Sequence, residues 1–114
     1  MTVLIAGTVH ISADKRDEAL QVTAELVAET RTQKGCKHYV WSADPTSETR
    51  VYVYENWDSV EDLAAHLAGP YYMGMLEKLG AYGVYDTDVS KFKIALEEPV
   101  YDPQGVPRAD FFTE

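Results

Sequence analysis

The stretch VYVYENW, residues 51–57, places a carboxylate where its chemical type and surroundings could support catalysis. Side chains alternate between the two faces of a strand, so Glu55 shares a face with Val51 and Val53. Loss of hydration on that apolar face would raise the pKa of the carboxyl group toward a range useful for proton transfer. A structural carboxylate bound by a backbone or indole N–H fits the same position, and the sequence leaves both interpretations open.

His66 is the second residue with suitable chemistry. If Val60, Leu63, Ala64 and Leu67 form the buried stripe of a helix, then a rotation of roughly 100° per residue puts His66 on its flank. From there the imidazole could reach the edge of a cavity and act as a general base or as a donor to an oxyanion. A hydrated surface histidine is the alternative.

Other chemistries have little support in this sequence. The three histidines lie on different predicted elements without H-x-H or H-x₃-H spacing, and there is no glycine-rich phosphate loop, G-x-S-x-G elbow or CxxC pair. The single cysteine, Cys36, cannot form an internal disulfide and is predicted to be a small buried hydrophobe. We therefore expect neither a metal nor a bound cofactor.

Composition predicts one cytoplasmic domain. The chain has 114 residues, and its 10 basic and 19 acidic side chains give a net charge of −9, which disfavours nucleic acid and anionic lipid as partners. The sequence has no continuous apolar run of membrane-spanning length and no basic flank or cleavage site typical of a signal peptide.

Periodicity and turn residues predict seven elements. Asp14 is a plausible N-cap of the first helix and Gly35 its terminator, Ser59 caps the second helix, and Gly74 should make the third helix short and irregular. The predicted elements are strand 3–11, a helix within 12–35, strands 37–42 and 50–57 around an Asp44-Pro45 turn, a helix from 59 to 69, a short helix 71–79 and strand 89–96.

This order predicts an α+β fold of the ferredoxin-like, split βαβ type, with an antiparallel sheet covered by helices on one face. The other face would carry Leu4, Tyr52 and Tyr54. Leaving such a face in water forgoes roughly 25 cal/mol per Å² of apolar area that could be buried. We therefore expect a second copy of the chain to cover it, which makes a homodimer and a dimeric α/β barrel.

Residues 34–72 resemble the antibiotic biosynthesis monooxygenase (ABM) family. The similarity lies in a Gly-Cys pair at the start of strand two, a following Tyr39, a Glu-x-Trp motif formed by Glu55 and Trp57, and a histidine late in the next helix, His66. The resemblance implies a dimeric α+β barrel with one pocket per subunit, between sheet and helices. It also implies oxidation of quinols or polycyclic phenols by molecular oxygen without metal, flavin or haem.

On this resemblance, Glu55 and His66 are the predicted catalytic residues. Tyr39 and Trp57 are predicted walls of a substrate pocket, unless they are ordinary core aromatics. Tyr72 lies on a possible lid, and Met75 is a possible substrate contact, although core packing is the commoner role for methionine. Haem-degrading relatives place an iron-binding histidine where this chain reads MGMLEKLG, residues 73–80, which contains none.

The sequence therefore predicts a homodimeric, cofactor-independent monooxygenase that acts on a quinol or polyphenolic aromatic molecule. Two alternatives remain, because related members of the family isomerise or bind rather than oxygenate. One is a non-catalytic ligand-binding or scaffold protein, and the other is a proton-transfer isomerase or cyclase. We expect residues 1–97 to form the domain and residues 98–114 an extended tail that packs on its own or a partner subunit.

Overall fold

A computed structural model describes all 114 residues of the chain. It contains four strands and three helices, and the element order confirms the predicted α+β fold of the ferredoxin-like type. The elements are β1 (Val3–His10), α1 (Arg16–Thr30), β2 (Cys36–Ala43), β3 (Arg50–Trp57), α2 (Val60–Leu67), α3 (Pro70–Tyr82) and β4 (Tyr85–Lys93).

The sheet is antiparallel throughout, with the strand order β2-β3-β1-β4. Its register puts Glu55 of β3 opposite Ile5 of β1 and opposite Tyr39 of β2. Directly opposite residues share a face of the sheet, so these three side chains lie together beneath the helices. The sheet register alone therefore brings two of the predicted site residues, Glu55 and Tyr39, into contact range.

The helices cover one face of the sheet, and the hydrophobic core lies between them. Two clusters of buried side chains fill this layer: Val9, Ile11, Ala19, Val51, Val53, Met75 and Leu79 in the larger, and Val3, Tyr39, Trp57 and Leu63 in the smaller. Gly74 permits α1 and α3 to approach, because a Cβ there would lie 3.1 Å from Cδ1 of Leu26. A methyl group at this position would require the Leu26 side chain to shift by a few tenths of an ångström.

Two predicted boundaries of the first helix are wrong. Lys15, not Asp14, is the N-cap, and no side chain caps the helix. The helix ends at Thr30, because Thr32 and Gln33 donate to carbonyls three residues back and the chain tightens into turns. Gly35 therefore lies beyond the helix, at a φ of +80°.

The third helix and fourth strand also differ from the prediction. Helix α3 is regular for 13 residues, from Pro70 to Tyr82, because Gly74 is packed against α1 rather than breaking the helix. Strand β4 begins at Tyr85, which pairs with His10 of β1, and ends at Lys93 instead of continuing to Leu96. Pairing along the edge of β1 overrides the turn-like composition of the polar segment that follows Tyr85.

No helix covers the opposite face of the sheet, which we call the open face. Tyr52, Tyr54 and Phe92 are exposed there. The tail forms a turn closed by a bridge between Tyr101 and Pro107. Further along the chain, Phe111 lines a groove beside Leu4 and Tyr54 of the open face.

Glu98 holds the end of the tail. Its carboxylate accepts hydrogen bonds from the backbone N–H groups of Phe112 and Thr113 and from the hydroxyl of Thr113. The division into a domain at 1–97 and a tail at 98–114 stays a prediction. No helix in the chain combines the length and apolarity that a membrane crossing requires.

Candidate functional site

A cavity of about 440 Å³ lies between the sheet and α3. Ten of its 14 lining residues are hydrophobic, so it suits an apolar ligand more than a highly charged one. The exposure of the lining residues distinguishes a buried floor from an open mouth. Its floor is made of buried residues that include Tyr39, Val53 and Glu55, whereas Leu76, Gly80 and Thr87 are exposed and form its mouth.

Helix α3 supplies one wall of the cavity through a single stripe of residues. Positions i, i+3, i+4, i+7, i+8 and i+11 of a helix lie on one side, and the lining residues of α3 and its C-cap follow this spacing. They are Tyr72, Met75, Leu76, Leu79, Gly80 and Gly83. Two predicted substrate-binding residues, Tyr72 and Met75, thus line the cavity.

Glu55 is the only charged residue that lines the cavity. It is 7% exposed, and its Oε1 accepts a hydrogen bond of 2.9 Å from the indole N–H of Trp57. Burial raises the pKa of the Glu55 carboxyl above its ordinary value, and the bond from Trp57 opposes that rise only in part. The hydrogen bond from Trp57 agrees with the structural interpretation of Glu55. The catalytic interpretation stays a prediction, and the carboxylate has access to a ligand-sized cavity.

Tyr39 lies beside Glu55 at the floor. Burial and the nearby Glu55 carboxylate raise the pKa of its hydroxyl, so Tyr39 remains a neutral phenol. A neutral phenol can donate a hydrogen bond to a ligand oxygen. It can also accept one.

His66 does not occupy the predicted flank position. It is 1% exposed, whereas two residues of the predicted buried stripe, Val60 and Leu67, are 55% and 43% exposed. The helix instead packs through Leu63 and His66, because the imidazole stacks on Trp57 with ring centroids 4.7 Å apart. His66 is therefore not among the lining residues of the cavity.

His66 contacts residues that line the cavity but does not line the cavity itself. Its Nδ1 lies 2.7 Å from Oε1 of Gln33, so the tautomer protonated at Nδ1 donates to that amide. The edge of the ring meets Tyr39 and Tyr72, both of which line the cavity. Burial lowers the pKa of His66, which favours the neutral imidazole. Trp57 likewise lies behind Glu55, outside the lining.

Trp41 is a lining residue that the sequence analysis missed. It is two residues after Tyr39 on β2, so it faces the same side of the sheet, and strand alternation alone could have identified it. Its indole N–H is shielded from solvent and has no hydrogen-bond partner. The nearby indole lowers the pKa of the Tyr39 hydroxyl, which offsets only part of the rise caused by burial and Glu55.

The side chains that commonly bind metals are dispersed. No group of three or more His, Cys, Asp or Glu residues comes together in the way a metal ion would need. Cys36 is half-buried, and burial, reinforced by the charge of Glu55, raises the pKa of its thiol. A raised pKa disfavours the reactive thiolate.

Comparison with known families identifies the class of protein. Residues 2–78 match the family described as antibiotic biosynthesis monooxygenase. Since this match covers well over half of the chain, the protein belongs to the ABM family, as its motifs indicated. Residues 79–114, which include part of the mouth of the cavity, lie outside the match.

Solved structures agree on the fold. A candidate antibiotic biosynthesis monooxygenase from Deinococcus radiodurans aligns with a TM-score of 0.77 at 22% identity, over 90% of this chain and 100% of that one. A second candidate of this kind, from Nitrosomonas europaea, gives a TM-score of 0.72 at 16% identity, over 84% of this chain and 100% of that one. At these identities the likeness establishes the fold alone.

An uncharacterized protein from Synechocystis is 24% identical over 93 residues, which is 82% of this chain. The chain spans 63% of the length of that relative. The description of this relative names no activity.

Proposed function

We propose that the protein is a cofactor-independent monooxygenase that oxidises a quinol or a polyphenolic aromatic molecule with molecular oxygen. The observation that carries the proposal is the position of Glu55, a buried carboxylate at the floor of a largely apolar cavity. Family membership supports the reaction class, because the family is described as antibiotic biosynthesis monooxygenase. The cavity volume of about 440 Å³ suits a flat molecule of a few fused rings.

In this proposal Glu55 is the base. Its raised pKa brings the carboxylate closer to the acidity of a phenol, so proton transfer from an aromatic hydroxyl becomes easier than it would be to an exposed carboxylate. The hydrogen bond from Trp57 fixes Oε1 and leaves Oε2 for the substrate. Apolar walls exclude water from the resulting anion and allow oxygen to approach it.

The electrons come from the substrate. Glu55 takes the hydroxyl proton, and the ring carbon that carries the negative charge forms a bond to one atom of O₂, which gives a hydroperoxide after protonation. The O–O bond then breaks, the ring C–H proton leaves, and the ring carbon becomes a carbonyl. For a phenol with a free position opposite its hydroxyl, the products are a quinone and one molecule of water, and O₂ receives four electrons from the ring.

Three other residues have roles in this proposal. Tyr39 and Tyr72 offer hydroxyls at the same end of the cavity. His66 is a positioning residue, because it stacks on Trp57 and thereby holds the group that orients Glu55.

Oxygen uptake tests the proposal. We would follow O₂ with an electrode and quinone by absorbance, using 1-naphthol and 1,4-naphthohydroquinone with protein dialysed against a chelator. We expect Glu55→Gln to lower turnover by about a hundredfold or more, since it removes the base but keeps an acceptor for Trp57. The matched control is Glu61→Gln on the exposed side of α2. Equal uptake by wild type and Glu55→Gln would reject the proposed role.

The same assay separates the two alternatives. An isomerase or cyclase would convert its substrate without oxygen, so turnover would persist under argon. A scaffold or binding protein would bind a phenol but show neither uptake nor conversion. The cavity favours a ligand-binding or catalytic role over a purely structural one, because a structural carboxylate would not need a ligand-sized space beside it.

We also propose that two copies of the chain associate through the open face. Tyr52 and Phe92 are about half exposed on it, and Oδ1 of the buried Asn56 has no hydrogen-bond partner within the chain. A second copy of the chain would bury the exposed aromatic side chains and could donate a hydrogen bond to the unpaired Asn56 oxygen. The predicted homodimer would follow.

A further inference from the structure

Gly80 is a glycine that the fold does not explain. It lies inside α3, three residues before the C-cap Gly83, and glycine is the poorest residue for a helix interior after proline. Gly83 has a reason to be glycine, since it ends the helix with a left-handed φ of +73°. Gly74 has another, the close approach of Leu26. A Cβ at Gly80 would meet no atom within 4 Å, and its φ is not in the left-handed region.

What Gly80 does have is a place at the mouth of the cavity. It falls on the cavity-lining stripe of α3, one turn after Leu76, and both residues are exposed. The other residues of the stripe carry side chains that narrow the cavity, except for Gly83, which is the C-cap of the helix. A side chain at Gly80 would occupy open space at the mouth and would leave the buried floor at Glu55 untouched.

We propose that Gly80 sets the size of ligand that the cavity admits, by keeping its mouth clear. This inference rests on the proposed function, because it assumes that the cavity takes an aromatic ligand whose hydroxyl reaches the floor. In this proposal a one-ring ligand lies wholly below the mouth, whereas a ligand of three fused rings extends past Gly80. The position lies beyond residue 78, where the family match ends.

The test combines two substitutions at Gly80 with three phenols of increasing length. Phenol, 2-naphthol and 9-phenanthrol have one, two and three rings, and their binding is measured by calorimetric titration under argon. We expect Gly80→Phe to weaken 9-phenanthrol binding by about tenfold or more and to leave phenol within about twofold of wild type. Gly80→Ala, with a single methyl group, should change neither by more than about twofold and should raise Tm by about 3 °C.

Ala81→Phe is the matched control, because Ala81 is the next residue of the same helix, is exposed and does not line the cavity. It should bind all three phenols as wild type does. Equal weakening of all three phenols by Gly80→Phe, or no weakening of any, would overturn the inference. A fall in Tm for Gly80→Ala would also overturn it, since the glycine would then serve the fold.

The two proposals fail in different ways. If wild type binds 9-phenanthrol and Gly80→Phe binds it equally well, the role of Gly80 is rejected and the proposed function stands. If wild type binds none of the three phenols, the proposed function is rejected, and the inference with it. Both proposals are supported if Glu55→Gln loses oxygen uptake and Gly80→Phe selectively loses binding of 9-phenanthrol.

Discussion

The hydrogen bond from Trp57 to Glu55 gives a prediction whose size can be worked out from the structure. The bond is 2.9 Å long and joins two residues that are 0% and 7% exposed, so bulk solvent screens it little. A hydrogen bond to a charged group contributes about 1.5–3 kcal/mol, against about 0.5–1.5 kcal/mol for a neutral pair. Ionised Glu55 should therefore gain about 1 kcal/mol more from Trp57 than a neutral side chain would.

A double-mutant cycle isolates that difference. Trp57→Phe removes the N–H, and Glu55→Gln replaces the charge with a neutral acceptor of similar shape. The loss of indole volume and of stacking on His66 occurs in both backgrounds and cancels in the cycle. We expect a coupling free energy of about 1 kcal/mol when Glu55 is ionised and close to zero when it is protonated.

The pH dependence has a definite sign. Burial raises the pKa of Glu55 in the folded protein, so ionisation costs the folded state more than the unfolded state. Wild type should lose stability relative to Glu55→Gln as the pH rises through the folded pKa. Urea unfolding of the four proteins across a pH series measures both effects. A coupling that stays below about 0.3 kcal/mol at every pH, or that grows as the pH falls, would refute the reasoning.

Three further predictions concern other parts of the molecule. Gly35→Ala should lower the free energy of unfolding by about 2 kcal/mol or more, because φ is +80° and a Cβ would lie 2.1 Å from the Asp62 carboxylate. Gly105→Ala, at the same φ but with no atom nearby, should lose only the smaller amount that comes from the backbone conformation. Equal losses for the two variants in urea unfolding would contradict this. Phe92→Glu on the open face should halve the molar mass measured by sedimentation, and an unchanged mass would argue against association through this face. Glu98→Ala should speed amide exchange at Phe112 and Thr113, while slow exchange there would mean that other contacts hold the tail.

The alternating pattern of the strands made most of the fold predictable. A period of two is a local signal, so β3 and the face occupied by Glu55 followed from seven letters of sequence. The Ser59 cap was predictable for the same reason, and its hydroxyl accepts a hydrogen bond from the N–H of Asp62. Local signals were therefore sufficient to predict the element order and the face of β3 on which Glu55 lies.

Apart from the ends of α1, the errors came from contacts between different elements of the fold. The burial of His66 depends on stacking against Trp57, which a count of aliphatic residues in α2 cannot reveal. The regularity of α3 depends on Leu26 of another helix, which turns Gly74 from a helix breaker into a packing site. Strand β4 extends to Tyr85 through its pairing with β1. Each case is a tertiary contact overriding a local preference.

The proposed base, Glu55, and its hydrogen-bond donor, Trp57, lie two residues apart on β3, whereas the exposed rim of the cavity is formed by residues from 76 onward. Because these parts belong to separate stretches of the polypeptide, one can be exchanged while the other stays intact. Exchanging residues 76–89 for those of another family member should therefore change which molecules the cavity accepts and preserve the proposed proton transfer to Glu55. Strand β3 would stay unchanged in such a redesign.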